Sequence, residues 1–237
     1  MRTGTGLVSE VRVDESGHFS AWVRCEPEIR PAPGQYALAR SPLEREAVLA
    51  RPLFAGEYSE DGFLALGTET SWGPGTEIEL RGPLGRGFQL PASTRRLALV
   101  AYRQTAERLL PLASLALAQG AAVVLYCEPL PRRLPLSLEA FPLAVLPEAL
   151  PWADFLAAEA PLTVLEELAQ LLGFQEGMKH SLAGEVLVDT AMPCGGAADC
   201  GACALPTRNG WKLACKDGPV FDLQALDWQK VGDKAEG

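Results

Sequence analysis

Arg96-Leu97-Ala98-Leu99-Val100-Ala101-Tyr102 decides how the middle of the chain folds. From Leu97 to Ala101 it is apolar without alternation, the pattern of a strand covered on both faces of a parallel sheet. Thr105 to Gln119, rich in Ala and Leu, predicts a helix, and Ala121 to Cys127 a second buried strand. Strand, helix and strand in that order imply a right-handed crossover and a parallel sheet. Ala153 to Glu159 continues it as a strand, and Pro161 to Leu172 as a helix with Thr163 near its start and Gly173 at its stop. Between these, Pro129, Pro131, Pro135, Pro142 and Pro147 exclude a long helix over Glu128 to Pro151.

Upstream of Pro91 the period changes to two. Leu7 to Val13 and Phe19 to Cys25 alternate, joined across Asp14-Glu15-Ser16-Gly17-His18 as a hairpin. Gln35 to Arg40, Gly62 to Leu66 and Glu77 to Arg81 are further strands, separated by Pro31-Ala32-Pro33-Gly34, Ser41-Pro42 and Gly73-Pro74-Gly75. Short strands at this spacing suggest a small antiparallel barrel. Downstream, Val186-Leu187-Val188 is a short strand that leads into a cysteine-rich stretch. The expected fold is α+β and multi-domain: a β-barrel over 1–92, a nucleotide-binding-like α/β domain over 93–184 and a small cysteine-bearing segment over 185–237. The tail from Asp233 to Gly237 is expected to fray.

Composition bounds the function. The chain has 237 residues, 48% of them hydrophobic and 22% charged, which fits a globular protein with a substantial core. A net charge of −9 lacks the basic footprint of a nucleic-acid binder. The apolar region from Leu109 to Cys127 is broken by Pro111, Ser114, Gln119 and Gly120, so no membrane span is expected. The first residues lack the apolar core of a secretory signal, which predicts a cytoplasmic protein. No phosphate-binding loop, G-x-S-x-G or H-E-x-x-H pattern is present.

Four of the six cysteines, Cys194, Cys200, Cys203 and Cys215, fall close together. The spacing is C-x5-C-x2-C-x11-C, and Gly195, Gly196, Ala197, Ala198, Gly201 and Ala202 fill the loop with small residues. Small residues let the backbone wrap an inorganic core and aim amide N–H groups at sulfur. Plant-type 2Fe–2S sites use C-x4-C-x2-C and a distant fourth Cys, one residue shorter in the first spacer. Structural zinc sites pair two short knuckles, and only Cys200 and Cys203 form one. The spacing favours 2Fe–2S, with zinc or structural cysteines as alternatives. Cys25 and Cys127 end strand-like runs and read as small core residues.

Several motifs carry a resemblance across essentially the whole chain. Cys194 to Cys203, followed by Cys215-Lys216-Asp217-Gly218-Pro219-Val220-Phe221, resembles the C-terminal iron–sulfur segment of the electron-transfer subunit of class 1B dihydroorotate dehydrogenase. Pro33-Gly34-Gln35-Tyr36 is similar to its P-G-Q-F/Y, Arg51-Pro52 to the start of its R-P-x-S, and Gly82-Pro83-Leu84-Gly85-Arg86-Gly87-Phe88 to its G-P-L-G-x-G-F. The resemblance implies a ferredoxin-reductase-like architecture: a flavin-binding barrel, a nicotinamide-binding α/β domain and a cluster segment. It implies FAD near Arg51, Pro52, Leu53, Phe54, Leu66, Gly67 and Thr68, and 2Fe–2S on the four clustered cysteines. It also implies hetero-oligomeric association with a catalytic, dihydroorotate dehydrogenase-like flavoprotein of pyrimidine biosynthesis.

The sequence departs from this family at both the flavin and the nicotinamide motifs. The hydroxyl of R-P-x-S is replaced by Phe54, and Glu69 stands where the family places phosphate ligands. The turn after the first α/β strand, Tyr102-Arg103-Gln104-Thr105, has no glycine, although only glycine lets backbone approach a pyrophosphate there. A C-G-P motif is replaced by Ala157-Ala158-Glu159-Ala160-Pro161. Direct oxidation of NAD(P)H is therefore not expected, and Arg103 reads as a solvated side chain. A flavin-free, cluster-only relay or accessory subunit and a zinc-stabilised binding module are the alternatives. His18 and His180 read as surface residues, Asp217 as shaping the turn before Pro219, Asp199 as solvating the loop, and Trp211 as packing over the cluster segment.

Overall fold

The computed structural model describes residues 2–14, 17–42, 49–68, 72–131, 134, 137–174 and 182–232. Strands β1 (Arg2–Val13), β2 (Phe19–Arg24), β3 (Tyr36–Arg40), β4 (Arg51–Tyr58), β5 (Gly62–Leu66) and β6 (Glu77–Leu84) close a barrel in the order β1-β2-β5-β4-β3-β6. Every pairing in it is antiparallel. Closure removes the exposed edges that an open sheet would leave. The alternation is plain in β6, where Ile78, Leu80 and Gly82 point inward and Glu77 and Glu79 outward. Val8, Val23, Leu53, Phe63, Ile78 and Leu80 fill the barrel. Strand β4 is not legible from period two, because Pro52 and Gly56 interrupt it and the pairing bulges between Ala55 and Glu57.

A second sheet is built from β7 (Arg96–Ala101), β8 (Ala122–Cys127), β9 (Glu139–Phe141), β10 (Phe155–Pro161) and β11 (Gly184–Asp189). A hairpin follows, β12 (Ala204–Thr207) with β13 (Gly210–Leu213), and then β14 (Val220–Asp222) returns to the sheet. The order is β14-β11-β10-β7-β8-β9, parallel throughout except for β14. β7 and β10 are buried along nearly their full length, as central parallel strands must be. The sheet continues past residue 184: β11 and β14 belong to it, and the cysteine loop is an excursion between them.

Helices α1 (Leu110–Ala118), α2 (Leu146–Ala149), α3 (Leu165–Leu171), α4 (Ala214–Asp217) and α5 (Trp228–Gly232) are short. The helix expected from Thr105 is a 3-10 turn over Ala106–Leu109 and becomes α-helical only at Leu110. Pro111 is the reason, since a proline inside a helix belongs in its first turn. Similarly Pro161 ends β10, and the α-helix expected from it starts at Leu165. Among the described residues, no helix is long and apolar enough to cross a membrane. Glu69, Pro135, His180 and the tail from Asp233 lie outside the described residues.

The barrel meets the sheet along one seam, and three of the sequence motifs build it. Arg86 N–H donates to Gly218 O at 2.5 Å, and Phe88 N–H to Pro33 O at 2.9 Å. Gln35 Nε2 donates to Gly85 O at 3.0 Å. The buried Glu185 carboxylate accepts from the Arg86 guanidinium and, at 2.6 Å, from Gln89 N–H. Gly85 has φ +71°, and a Cβ there would stand 2.5 Å from Gly218 O. These motifs sit far apart in sequence because each forms one wall of a single interface.

Candidate functional site

The cysteine loop leaves the sheet after Asp189 and returns through β12, β13 and α4. Cys194, Cys200 and Cys203 come from the loop and Cys215 from α4. All four are free thiols: Cys203 and Cys215 are buried, Cys194 is half-buried and Cys200 is exposed. The Cys194 thiol pairs with Cys200, the Cys215 thiol with Cys203, and Cys194 acts electrostatically on Cys215. Sγ of Cys194, Sγ of Cys200 and a carboxylate oxygen of Asp199 lie within 4.8 Å of one another.

Backbone conformation makes this cradle. Gly195, Gly196, Gly201 and the non-glycine Ala198 all have positive φ. Such turns gather consecutive N–H groups around one point, which suits an anion. N–H groups of Ala198, Asp199 and Cys200 reach the Cys194 sulfur, and that of Ala198 also reaches Cys215. Burial pushes the Cys194 thiol up, but the Cys200 thiol and these amides outweigh it and bring it down to about 7. Cys215 goes the other way, to about 12, through burial and its Cys203 and Cys194 neighbours. A set of sulfur donors with N–H groups aimed at them fits an iron–sulfur cluster.

The barrel edge predicted to hold flavin divides in two. Phe54 stands opposite Leu66 across β4 and β5, and a Cβ at Gly67 would lie 3.5 Å from Pro52 O. The Thr68 hydroxyl is buried and has no hydrogen-bond partner among the described residues. That orphaned donor, just past the end of β5, fits a diphosphate. The other half is closed. Leu53 turns its side chain into the barrel core. Phe54 lies between Tyr36, at 6.0 Å between ring centroids, and the Arg108 guanidinium, 4.6 Å from its ring.

Arg108 belongs to a network that sequence reasoning missed. The strand order reverses between β7 and β10, and ligands of open α/β sheets bind in the crevice at that point. Here Arg108 Nη1 donates to Asp189 Oδ1 at 3.0 Å and lies 3.2 Å from Glu159 Oε1. Gln104 Nε2 donates to Asp189 Oδ2 at 2.8 Å. Glu159 is fully buried, and its oxygens have the Arg108 charge nearby but no hydrogen bond. Burial raises its carboxyl to about 7 against the pull of Arg108. One signal was available, since a charged residue inside the apolar run Ala157 to Ala160 needs a partner.

The remaining expectations divide similarly. Arg103 is exposed and bonds Glu167 at 3.2 Å. His18 is exposed beside Asp14. Cys127 is buried in the sheet core and Cys25 packs against the barrel core. Asp217 Oδ2 accepts from Leu213 N–H at 2.9 Å and so braces α4. Trp211, expected to be packed, is 59% exposed on β13.

Residues 189–227 match the family model of the iron–sulfur cluster binding domain of dihydroorotate dehydrogenase B. No curated protein matches the chain in sequence. Among solved structures, the chain is similar to the NADH-dependent reduced ferredoxin–NADP oxidoreductase studied for flavin-based electron bifurcation. The identity is 19% and the TM-score 0.71, over 97% of this chain and 92% of that one. It is also similar to a ferredoxin reductase of carbazole 1,9a-dioxygenase, at 18% identity and TM-score 0.61, over 79% of this chain and 69% of that one. Phthalate dioxygenase reductase, which transfers electrons from pyridine nucleotides to 2Fe–2S, matches at 11% identity and TM-score 0.57, over 94% of this chain and 77% of that one. The fold is ferredoxin-reductase-like, with a C-terminal iron–sulfur segment of the dihydroorotate dehydrogenase B kind.

Proposed function

We propose that this chain is the electron-transfer subunit of a hetero-oligomeric oxidoreductase similar to dihydroorotate dehydrogenase B. It relays single electrons through FAD and a 2Fe–2S cluster to a partner flavoprotein of pyrimidine synthesis, in the cytoplasm. The supporting observation is the cradle of Cys194, Cys200, Cys203 and Cys215 within the segment that matches the iron–sulfur domain. When bound, the cluster supplies a one-electron couple and FAD an exchange of one or two electrons. The loop amides face sulfur, where negative charge grows on reduction, and favour the reduced state. Cys203 and Cys215 keep one side of the site dry, while the exposed Cys200 gives a partner its shortest approach. Arg51, Gly67 and Thr68 would hold the FAD diphosphate. Arg108, Gln104, Glu159 and Asp189 occupy the crevice that a nicotinamide would need, so the electron donor is a carrier other than NAD(P)H.

The test is a visible spectrum of anaerobically purified protein, with iron and sulfide assays, before and after NADH and then dithionite. Flavin bands over a broad 2Fe–2S envelope, bleached by dithionite but not by NADH, are expected. A flavin-free relay is the second reading, favoured by the enclosure of Phe54 between Tyr36 and Arg108. Brown protein without flavin bands would select it. A colourless, zinc-containing protein that iron and sulfide cannot reconstitute would overturn both.

A further inference from the structure

Tyr36 joins the two candidate cofactor regions. Its ring is 1% exposed, although the residue belongs to the barrel. Its Oη donates to the Cys215 carbonyl at 2.6 Å, across 179 positions of sequence. That carbonyl lies in α4, a helix of four residues, where the carbonyls of the last turn have no partner within the helix. On its other side Tyr36 is in register with Phe54 across β3 and β4. Two glycines make room for the ring. A Cβ at Gly196, in the cysteine loop, would stand 3.0 Å from Tyr36 Oη, and one at Gly85 would stand 3.0 Å from its Cε1.

A larger loop residue than Gly196 would collide with the hydroxyl, and a phenylalanine at position 36 would leave the Cys215 carbonyl unmet.

We propose that Tyr36 is a positioning residue for the cluster: its hydroxyl fixes the backbone at Cys215, and its ring sets that ligand against β4. The proposal rests on the four cysteines being cluster ligands. The hydroxyl hydrogen carries partial positive charge on the cluster side of the barrel. It therefore favours the reduced cluster, and its loss lowers the reduction potential.

The experiment uses the full chain with its cluster, purified anaerobically. Tyr36→Phe keeps the ring and removes only the hydroxyl. We expect iron and sulfide content to match the wild type. We also expect altered EPR g-values in the reduced state and a reduction equilibrium shifted about three- to tenfold towards the oxidised cluster, tenfold being 59 mV for one electron. Loss of iron to a chelator should be about severalfold faster, and faster still in Tyr36→Leu. Unchanged g-values, potential and chelator rate in Tyr36→Phe would overturn the proposal. A second measurement needs no variant: ring-deuterated tyrosine in the wild type should give a deuterium hyperfine signal from the reduced cluster, and its absence would equally overturn it. Wild-type protein without a cluster would overturn the parent reading instead, and would do so before any variant is made.

Discussion

The cysteine loop and the crevice after β7 are both places where this fold can take a guest, and the chain treats them in opposite ways. In the loop, side chains are withdrawn. Gly195, Gly196 and Gly201 leave the backbone bare, and amides that would otherwise pair within the chain face sulfur. In the crevice, side chains are added. Arg108 and Gln104 hydrogen-bond Asp189, and Arg108 sets its charge beside the buried Glu159 at the strand ends. A backbone that must wrap an inorganic group needs small residues and positive φ, whereas strand ends that hold no ligand need polar side chains of their own. On the proposed function, the same distinction separates the cluster site from a crevice occupied by the chain's own side chains.

The sharpest way to break this comparison is to remove one thiol. Cys203→Ser takes away a buried ligand, and the protein should lose essentially all of its visible absorbance, iron and sulfide. Cys127→Ser, on β8 of the sheet from which the loop departs and equally buried, should retain them, at a stability cost of about 1–2 kcal/mol. Equal iron content in the two variants would mean that the loop is not the cluster site.

On the crevice side, the corresponding change is Arg108→Ala, and its cost depends on pH. The Glu159 carboxyl titrates at about 7 in the fold against an ordinary 4.5. A carboxyl whose folded value is raised stabilises fully below its unfolded value and loses that contribution as pH rises through the folded value. Glu159 should therefore cost the wild type about 3 kcal/mol between about pH 4.5 and 7, a slope that Glu159→Gln abolishes. Arg108→Ala should cost about 3–5 kcal/mol at pH 8, where it strands an ionised Glu159. At pH 5, where the carboxyl is neutral, the cost should fall to the lost Asp189 bond and Phe54 contact, about 1–2 kcal/mol. Urea unfolding of the three proteins at both pH values tests this. A cost independent of pH would mean that Arg108 does not face Glu159.

How much of this was legible follows from the same physics. Buried parallel strands announce themselves as unbroken apolar runs, so β7, β8 and β10 were readable within a residue or two. The cysteine spacing was readable because few arrangements of four thiols and small residues have another use. Strand β4 was not, because a bulge and Pro52 break its period. Nor was the seam, although its motifs were visible: sequence shows that Gly85 and Gly218 are specified, but not that they touch. Arg108 was invisible as a partner of Asp189 and Glu159, since three elements must fold before these residues meet. Trp211 was misplaced because a tryptophan on a short two-stranded hairpin has only one face to cover it.

The seam supports the cluster side, and glycine substitutions compare it with the α/β side. Gly85 and Gly120 both have positive φ, +71° and +80°. A Cβ at Gly85 meets Gly218 O at 2.5 Å, whereas one at Gly120, between α1 and β8, meets nothing within 4 Å. Gly120→Ala should cost only the backbone strain, about 1 kcal/mol. Gly85→Ala should cost about 2–4 kcal/mol, because backbone must move as well. It should also speed iron loss, since Gly218 follows Cys215 closely in the chain. Thermal unfolding and chelator challenge read the two effects separately. Equal costs would mean that the seam yields without strain.

The smallest expected effect lies between these extremes, at the barrel edge, where one half resembles the open loop and the other the filled crevice. Thr68→Val replaces a buried hydroxyl that has no partner among the described residues with a methyl group of similar shape. In flavin-free protein this removes a desolvation cost, so the fold should be unchanged or more stable by about 1 kcal/mol. In flavin-loaded protein the same change should weaken FAD retention by about tenfold, because a diphosphate would then lose a donor. Opposite signs in the two readouts would place the barrel edge with the cysteine loop, as a site kept ready for a guest. Greater stability with unchanged FAD retention would place it with the crevice, and Thr68 would then be a buried polar group without a ligand to serve.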